Sequence, residues 1–202
     1  MQVRGFDAPR VVSAIIPRVK AQGFSFIARY YSYNANKNLT PSEARTVSAA
    51  GLDLVAIWEA AGDHISNFTT KQGEKDAAEA LRLAQLIGQP EGSGIYFAVD
   101  FDPKPAQIIT AVLPYFLAVN RGIGGKYRVG NYGSGLVCST LREAKLSELF
   151  MLGAARGWQG TKTFTGAHLQ QALPTNPGLG IQVDPDLALN ADFGQFRVPL
   201  TA

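Results

Sequence analysis

Cysteine and histidine are scarce in this chain of 202 residues, which has one cysteine, Cys138, and two histidines, His64 and His168. A single cysteine cannot form a disulfide within the chain, and these three residues are too few for a Cys/His zinc centre. The sequence also lacks a Gly/Ser-rich or Pro-rich linker, an internal repeat and a low-complexity block. We therefore expect one domain over residues 1–202, with no metal and no cofactor.

Clustered charge and long apolar runs are missing as well. Lys and Arg are scattered along a chain of net charge +3, which argues against nucleic acid as a partner. The longest apolar runs have the length of β-strands, which predicts no membrane insertion. The first residues, Met1 to Asp7, read as a strand and contain no basic-then-apolar leader, so we expect no secretion signal there. We expect a monomer.

What the sequence does contain is a regular alternation of β-rich and amphipathic helical segments, typical of parallel βα units. Strands are predicted at 3–7, 24–31, 52–59, 93–102 and 127–132, and helices near 10–22, 41–50, 71–87, 105–120 and 135–147. Three more strands, 150–155, 167–171 and 180–186, follow with connections too short for full helices. The pattern predicts an α/β fold, an irregular (β/α)8 TIM-type barrel with its last outer helices short or missing. An open doubly wound sheet is the alternative.

The fourth predicted strand ends in the sequence Asp100-Phe101-Asp102. Because side chains alternate along a strand, Asp100 and Asp102 share the face that looks into the barrel. Barrel enzymes carry their chemistry at the C-terminal ends of the strands. Two like charges about 7 Å apart repel one another, which disfavours such a pair unless it binds or reacts with a ligand. The pair therefore predicts a functional site.

Polar residues collect at the ends of the other predicted strands too. They are Asp7, Arg29, Tyr31, Glu59, Asn131, Tyr132, Gln170, Gln171, Gln182, Asp184 and Asp186. Carboxylates, amides and phenols at six strand ends predict a cleft. Each residue also has a plain structural interpretation: Asp7 as a turn or helix cap, Arg29 as a partner for nearby carboxylates, and Asp184-Pro185-Asp186 as a turn.

An ordered set of short motifs gives the chain a family resemblance. The set is Gly5-Phe-Asp7, Ala28-Arg-Tyr-Tyr31, Ile57-Trp-Glu59, Ile95-Tyr-Phe-Ala-Val-Asp-Phe-Asp102, Tyr127-Arg-Val-Gly-Asn-Tyr-Gly-Ser-Gly135 and Leu169-Gln-Gln171. With these motifs the chain resembles the glycoside-hydrolase-like domain of unknown function related to family 25 lysozymes. The resemblance implies an irregular barrel that cleaves or binds bacterial cell-wall glycan, with peptidoglycan as the expected substrate. It also implies action at the bacterial envelope, after secretion or delivery by a phage.

The resemblance also implies roles for individual residues. Asp100 and Asp102 match the Asp-x-Glu of the lysozymes, and Asp7 and Asp186 match their first-strand and last-strand aspartates. The position of the general acid holds Asp102 where the lysozymes have Glu, one methylene longer, so lysozyme activity does not transfer automatically.

Cleavage of a glycosidic bond needs one acid and one carboxylate. Asp102 or Glu59 is the candidate acid. Asp100 and Asp7 complete the catalytic candidates, and Asp100 would orient an N-acetyl group if the substrate supplied its own nucleophile. The candidate substrate-binding residues offer flat faces or polar contacts to sugars, and they are Arg29, Tyr30, Tyr31, Tyr132, Trp158, Gln170, Asp184 and Asp186.

Three other functions fit parts of the pattern. The altered acid position allows a non-catalytic glycan-binding barrel. The Asp-x-Asp sequence is also found in haloacid-dehalogenase-type phosphotransferases, although there it lies in the first strand and not in mid-chain. Asp-x-Asp as a manganese site, with Gly130-Asn-Tyr-Gly-Ser-Gly135 as a phosphate loop, would indicate a nucleotide-sugar transferase, but the same glycines suit a tight turn between strand and helix.

Overall fold

The computed structural model describes residues 3–173 and 177–200, and its strands form one closed barrel in chain order. The strands are β1 (Val3–Asp7), β2 (Phe26–Tyr31), β3 (Asp53–Trp58), β4 (Gly94–Ala98), β5 (Arg128–Gly133), β6 (Leu149–Leu152), β7 (Leu169–Gln171) and β8 (Asp184–Ala188). The helices are α1 (Ile16–Ala21), α2 (Pro41–Ala49), α3 (Thr70–Ile87), α4 (Pro105–Gln107), α5 (Leu113–Ile123) and α6 (Gly135–Glu143). The predicted irregular (β/α)8 barrel is confirmed.

Helix ends follow the local chemistry of the sequence. The Thr40 hydroxyl caps α2 by accepting a hydrogen bond from the Glu43 amide (3.2 Å), and Pro41 occupies the first helical position, where no amide hydrogen is needed. Gly88 ends α3 in the left-handed conformation (φ 75°), which costs glycine little. These signals fix where the chain leaves each helix and returns to the barrel.

The last third of the barrel departs from the regular pattern. After α6 the described residues contain no further α-helix. β8 runs antiparallel to both of its neighbours, β1 and β7, and pairs Asp184 with Asp7 and Asp186 with Gly5. An antiparallel pair needs no helical crossover, which explains how the strand follows β7 without one. The predicted strand at 180–186 is therefore shifted to Asp184–Ala188 and reversed, so that Asp184 is nearer the open end than Asp186.

The barrel interior is apolar at the end where the parallel strands begin. Phe26, Val55, Tyr96 and Leu149 pack there with Phe193, whose backbone carbonyl accepts a hydrogen bond from the Tyr96 hydroxyl (2.7 Å). Gly5 leaves room for the Phe26 ring, since a Cβ at Gly5 would lie 2.4 Å from it. This plug closes one end of the barrel, so that a cleft can form only at the other.

One helical stretch, Pro105–Ile123, is long and apolar enough to cross a membrane by length and composition, with a mean hydropathy of 1.2. It comprises α4, a π-helical turn at Ile108–Val112 and α5. Tyr115, Phe116 and Val119 of this stretch are buried in the layer between barrel and helices. Part of the stretch is therefore packed as a core helix, with 39% of its most apolar window buried, and it is longer than the strand-length apolar runs expected from the sequence.

Candidate functional site

A cleft of about 360 Å³ opens at the C-terminal end of the parallel strands. Its walls come from residues of six strands and from loops that follow other strands as well, including β1 and β6. The lining residues are Pro9, Tyr30, Lys37, Ile57, Glu59, Ala98, Asp100, Tyr132, Ala154, Gln171, Ala172 and Asp184. Three carboxylates and one lysine therefore face one small space, at the end of the barrel where such folds place their chemistry.

Asp7, the last residue of β1, forms the floor beneath this cleft and is fully buried. The Tyr30 hydroxyl donates a hydrogen bond to Asp7 Oδ1 (2.5 Å), and Gln171 Nε2 donates to Asp7 Oδ2 (2.7 Å). Burial raises the pKa of Asp7 to about 7, because desolvation outweighs the two hydrogen bonds, and the charges of Asp184 and Glu59 act in the same direction.

Asp186 lies one layer deeper than Asp7, on the same side of the barrel. It is 3% exposed, and neither of its carboxyl oxygens has a hydrogen-bond partner among the described residues. Burial, followed by the charge of Asp7, raises the pKa of Asp186 well above its usual value. Two neighbouring carboxyl groups in a low-dielectric site do not both ionise, so Asp7 and Asp186 retain a proton between them near neutral pH.

Asp100 follows β4 and stands at the rim of the cleft, with its side chain exposed. Burial of part of the carboxyl raises the pKa of Asp100 to about 6, and the charge of Glu59 adds to the effect. The nearby Tyr132 hydroxyl and the charge of Lys37 act against that rise in pKa. The Tyr132 hydroxyl donates to Gln171 Oε1 (2.9 Å), and Gln171 donates to Asp7, so a chain of hydrogen bonds leads from Tyr132 to Asp7.

Glu59 forms an ion pair with Lys37, with 2.5 Å between Oε2 and Nζ. Both side chains are about one quarter exposed. The Lys37 ammonium also lies 4.2 Å from the centre of the Tyr30 ring, close enough for a cation–π contact. Sequence reasoning missed Lys37. Its place in the loop between β2 and α2 was the available signal, since such loops build the active end of a barrel.

Arg29 and Tyr31 lie outside the cleft, because alternation along β2 turns them toward the outer helices and turns Tyr30 inward. Arg29 forms a fully buried ion pair with Glu43 (Nε to Oε1, 2.9 Å), and Tyr31 donates to Gln89 (2.8 Å). Arg29 Nη1 also donates to the backbone carbonyl of Lys37 (3.3 Å). Arg29 therefore supports the loop that carries Lys37 and is not placed to touch a ligand.

Asp102 also lies outside the cleft, because β4 ends at Ala98 and the strand alternation stops with it. The Asp100 amide donates to the carbonyl of Gly62 (2.7 Å) and not to a neighbouring strand. The Asp102 carboxylate accepts the backbone amide of Gln159 (3.1 and 3.2 Å). Asp100 and Asp102 thus do not form one paired site, which removes the geometry that both Asp-x-Asp alternatives require.

Trp158 and Gln170 lie beside the cleft and not in its wall. Trp158 is half-buried and meets the Tyr132 ring edge-on, with 6.4 Å between centroids. Gln170 Nε2 donates to the backbone carbonyls of Gln171 (2.9 Å) and Gly153 (3.3 Å). The next residue, Gln171, reaches the cleft, and three-residue β7 is too short for its alternation to be read from the sequence.

Asp184, at the start of β8, lines the cleft beside Asp7, with which it pairs across the neighbouring strands β1 and β8. Burial and the charge of Glu59 raise its pKa. Within residues 3–173 and 177–200, no three His, Cys, Asp or Glu side chains come together in a way that could hold a metal ion. The chemistry available from the protein is therefore that of carboxyl groups in different environments, together with one lysine, two phenols and an amide.

Comparison with known proteins identifies relatives of the whole barrel. The model of the Rv2525c-like, glycoside hydrolase-like domain family matches residues 18–187. The uncharacterized protein FadG of Bacillus subtilis is 28% identical over 192 residues, which cover 87% of this chain and 33% of FadG. The chain thus spans about a third of the length of that curated relative.

Solved structures share the fold. The Tat-secreted protein Rv2525c of Mycobacterium tuberculosis superposes with a TM-score of 0.82 at 24% identity, covering 96% of this chain and 98% of that one. The modular autolysin LytC of Streptococcus pneumoniae, solved in complex with a synthetic peptidoglycan ligand, superposes with a TM-score of 0.63 at 11% identity, covering 92% of this chain and 46% of LytC. At these identities the likeness concerns the fold.

Proposed function

Because the chain belongs to the Rv2525c-like, glycoside hydrolase-like domain family, we propose that its cleft hydrolyses a glycosidic bond of bacterial cell-wall glycan, namely peptidoglycan. One observation carries the proposal: Asp100, whose pKa is raised to about 6, faces the same cleft as Glu59, which is paired with a lysine. Glycosidases need this division of roles between a proton donor and an ionised carboxylate.

Asp100 is the proposed general acid. Its exposed position at the rim allows it to approach the leaving-group oxygen, and a pKa near 6 keeps a useful fraction protonated in mildly acidic conditions. This assignment differs from the resemblance, in which the acid sits at the position of Asp102. In this chain Asp102 is bonded to the Gln159 amide.

Glu59 and Asp184 are the proposed carboxylates that face the positive charge of the sugar ring in the transition state. Glu59 is paired with Lys37, and Asp184 lies across the cleft from Glu59, beside Asp7. If the sugar carries an N-acetyl group, its carbonyl oxygen can attack the anomeric carbon, and no protein nucleophile is then required. Tyr30 and Tyr132 offer aromatic and hydroxyl contacts for the ring that is bound.

The location of Asp102 favours a second candidate, a barrel that binds cell-wall glycan without cutting it. A lysozyme-like acid after the strand is not available when the Asp102 carboxylate is held by the Gln159 amide. In that case the carboxylates, Tyr132 and Gln171 would serve recognition only. Under either candidate the site of action is the envelope. The Tat secretion of Rv2525c is compatible with that location.

Incubation with purified peptidoglycan separates the two candidates. Sedimentation with the insoluble polymer measures binding, and release of reducing ends measures hydrolysis. We expect release by the wild type and by the matched control Glu74→Gln, which changes an exposed carboxylate on α3, but none by Asp100→Asn. Binding without release by the wild type would favour the glycan-binding candidate, and neither binding nor release would contradict the proposed function.

A further inference from the structure

A second groove, of about 970 Å³, adjoins the cleft. The two share Ala154, Gln171 and Ala172, so a ligand bound in one can extend directly into the other. The lining of this side groove also contains Arg156 and Lys162. The side groove is thus a continuation of the cleft that the chemistry proposed above does not use.

The cleft and the side groove are lined by side chains of opposite charge. The cleft is lined by Glu59, Asp100 and Asp184, whereas the described lining of the side groove contains no carboxylate. Arg156 and Lys162 are both exposed, and neither forms an ion pair within the part of the chain that the structure describes. Two cations beside an acidic cleft form a local field that attracts a negative group.

The loop that carries the two cations is anchored to the barrel, although it has no helix. Its Gln159 amide donates to Asp102, and the Gln159 carbonyl accepts the Leu136 amide (2.8 Å). Gly135 packs directly on Gly160, since a Cβ at Gly135 would lie 2.1 Å from the Gly160 carbonyl oxygen. The backbone beneath Arg156 and Lys162 is therefore held in place before any ligand arrives, which lowers the ordering cost of binding.

We propose that the side groove is a subsite for an oxyanion attached to the glycan whose sugar backbone occupies the cleft, with Arg156 and Lys162 as its ligands. The inference rests on the proposed function, because it assumes that a sugar chain lies in the cleft. The planar guanidinium of Arg156 matches two oxygens of a carboxylate or phosphate, and Lys162 adds a point charge. Asp102 holds the loop between Arg156 and Lys162 by accepting the Gln159 amide.

The inference is tested by calorimetric titration of the whole chain with three tetrasaccharides. The first is neutral chitotetraose, the second carries lactyl carboxylates on alternate sugars, and the third is chitotetraose bearing a 6-phosphate. We expect at least one anionic ligand to bind about tenfold more tightly than chitotetraose in low salt, as one charge-assisted contact would give. The preference should shrink in 0.5 M NaCl, because the cations are exposed. The ligand that is preferred identifies the oxyanion.

The matched variants locate the effect. Arg156→Gln with Lys162→Gln should remove the preference and leave chitotetraose affinity unchanged. Arg45→Gln with Lys71→Gln, on exposed positions of α2 and α3, removes the same charge and should keep the preference. A preference that survives the first pair, or is absent from the wild type while chitotetraose binds, would overturn the subsite alone. Failure of all three ligands to bind would instead contradict the proposed function.

Discussion

The two sides of the cleft hold their carboxyl groups in opposite ways. On the side of β1 and β8, Asp7 and Asp186 are buried, and both pKa values are raised chiefly by desolvation. On the side of β3 and β4, Glu59 and Asp100 are accessible, and Glu59 is paired with Lys37. A buried acid holds its proton, whereas an accessible acid with a pKa near 6 can exchange its proton with a ligand.

This difference follows from strand direction. β8 runs antiparallel, so its successive inward residues, Asp184 and then Asp186, lead from the cleft into the barrel. β4 is parallel to its neighbours and ends at Ala98, so Asp100 is carried out to the rim. Acidic residues on the two sides therefore differ in their exposure to water, and we propose that catalysis takes place on the accessible side.

Asp100→Asn gives the largest expected effect. Loss of the proton donor should reduce kcat/KM for peptidoglycan by about 10²–10⁴-fold, the usual contribution of general acid catalysis. The free energy of unfolding should change by less than about 0.5 kcal/mol, because the side chain is exposed. Reducing-end assays and urea unfolding measure the two quantities. Full activity in this variant, or a loss of activity caused by unfolding, would contradict the proposal that the proton donor lies on the accessible side of the cleft.

Lys37→Met should have an intermediate effect. Removal of the ammonium leaves Glu59 unpaired and removes a charge that lowers the pKa of Asp100, so the alkaline limb of the pH–rate profile should move to higher pH. We expect kcat/KM at pH 5 to fall about tenfold, because the Glu59 carboxylate would lose the cation that holds it in position in the cleft. Lys37→Arg keeps the charge and is the control. An unchanged pH–rate profile in Lys37→Met would contradict the proposed influence of Lys37 on Asp100.

Asp186→Asn tests the buried side through stability. In the folded chain the pKa values of Asp7 and Asp186 are raised above those of the unfolded chain, which are near 4. The resulting contribution to stability is fully present below about pH 4 and is lost as the pH rises toward about 7. The variant should lose less stability over that interval and be more stable than the wild type at pH 8 by about 1–3 kcal/mol. Urea unfolding at pH 5, 6.5 and 8 measures the stability of both proteins. The same pH dependence of stability in the variant and the wild type would contradict the prediction.

Asp102→Asn gives the smallest expected effect. Asparagine keeps an oxygen that can accept the Gln159 amide, so activity should change by less than about twofold. Asp102→Ala removes the acceptor and should lower stability by about 1 kcal/mol. If Asp102→Asn instead abolished turnover, the acid would be Asp102, as the resemblance implies, and the cleft would have to rearrange when substrate binds.

The first five strands could be predicted from the sequence because helix caps and glycine stops delimit them. β1 begins and ends as predicted, and Thr40 and Gly88 mark a helix start and a helix end. The direction of β8 could not be predicted, since the alternation of Asp184, Asp186 and Ala188 is the same from either end. The short strand β7 offered a similar ambiguity between Gln170 and Gln171.

The candidate site was predicted in part. Asp7, Glu59, Asp100, Tyr30, Tyr132, Asp184 and Asp186 all lie in the cleft wall or directly beneath it. Arg29 and Tyr31 were misplaced because every residue of β2 is buried, so its pattern does not say which face looks inward. Asp102 was misplaced because nothing in Asp100-Phe101-Asp102 indicates that pairing of β4 stops at Ala98. The roles of the cleft residues stay predictions.

The most direct test is the pH dependence of kcat/KM for release of reducing ends from peptidoglycan. With Asp100 as the acid, the rate should fall as the pH rises through about 6, the pKa of that carboxyl, and Glu74→Gln should follow the same curve. Turnover that stays constant from pH 5 to pH 8 would contradict the assignment of Asp100 as the proton donor.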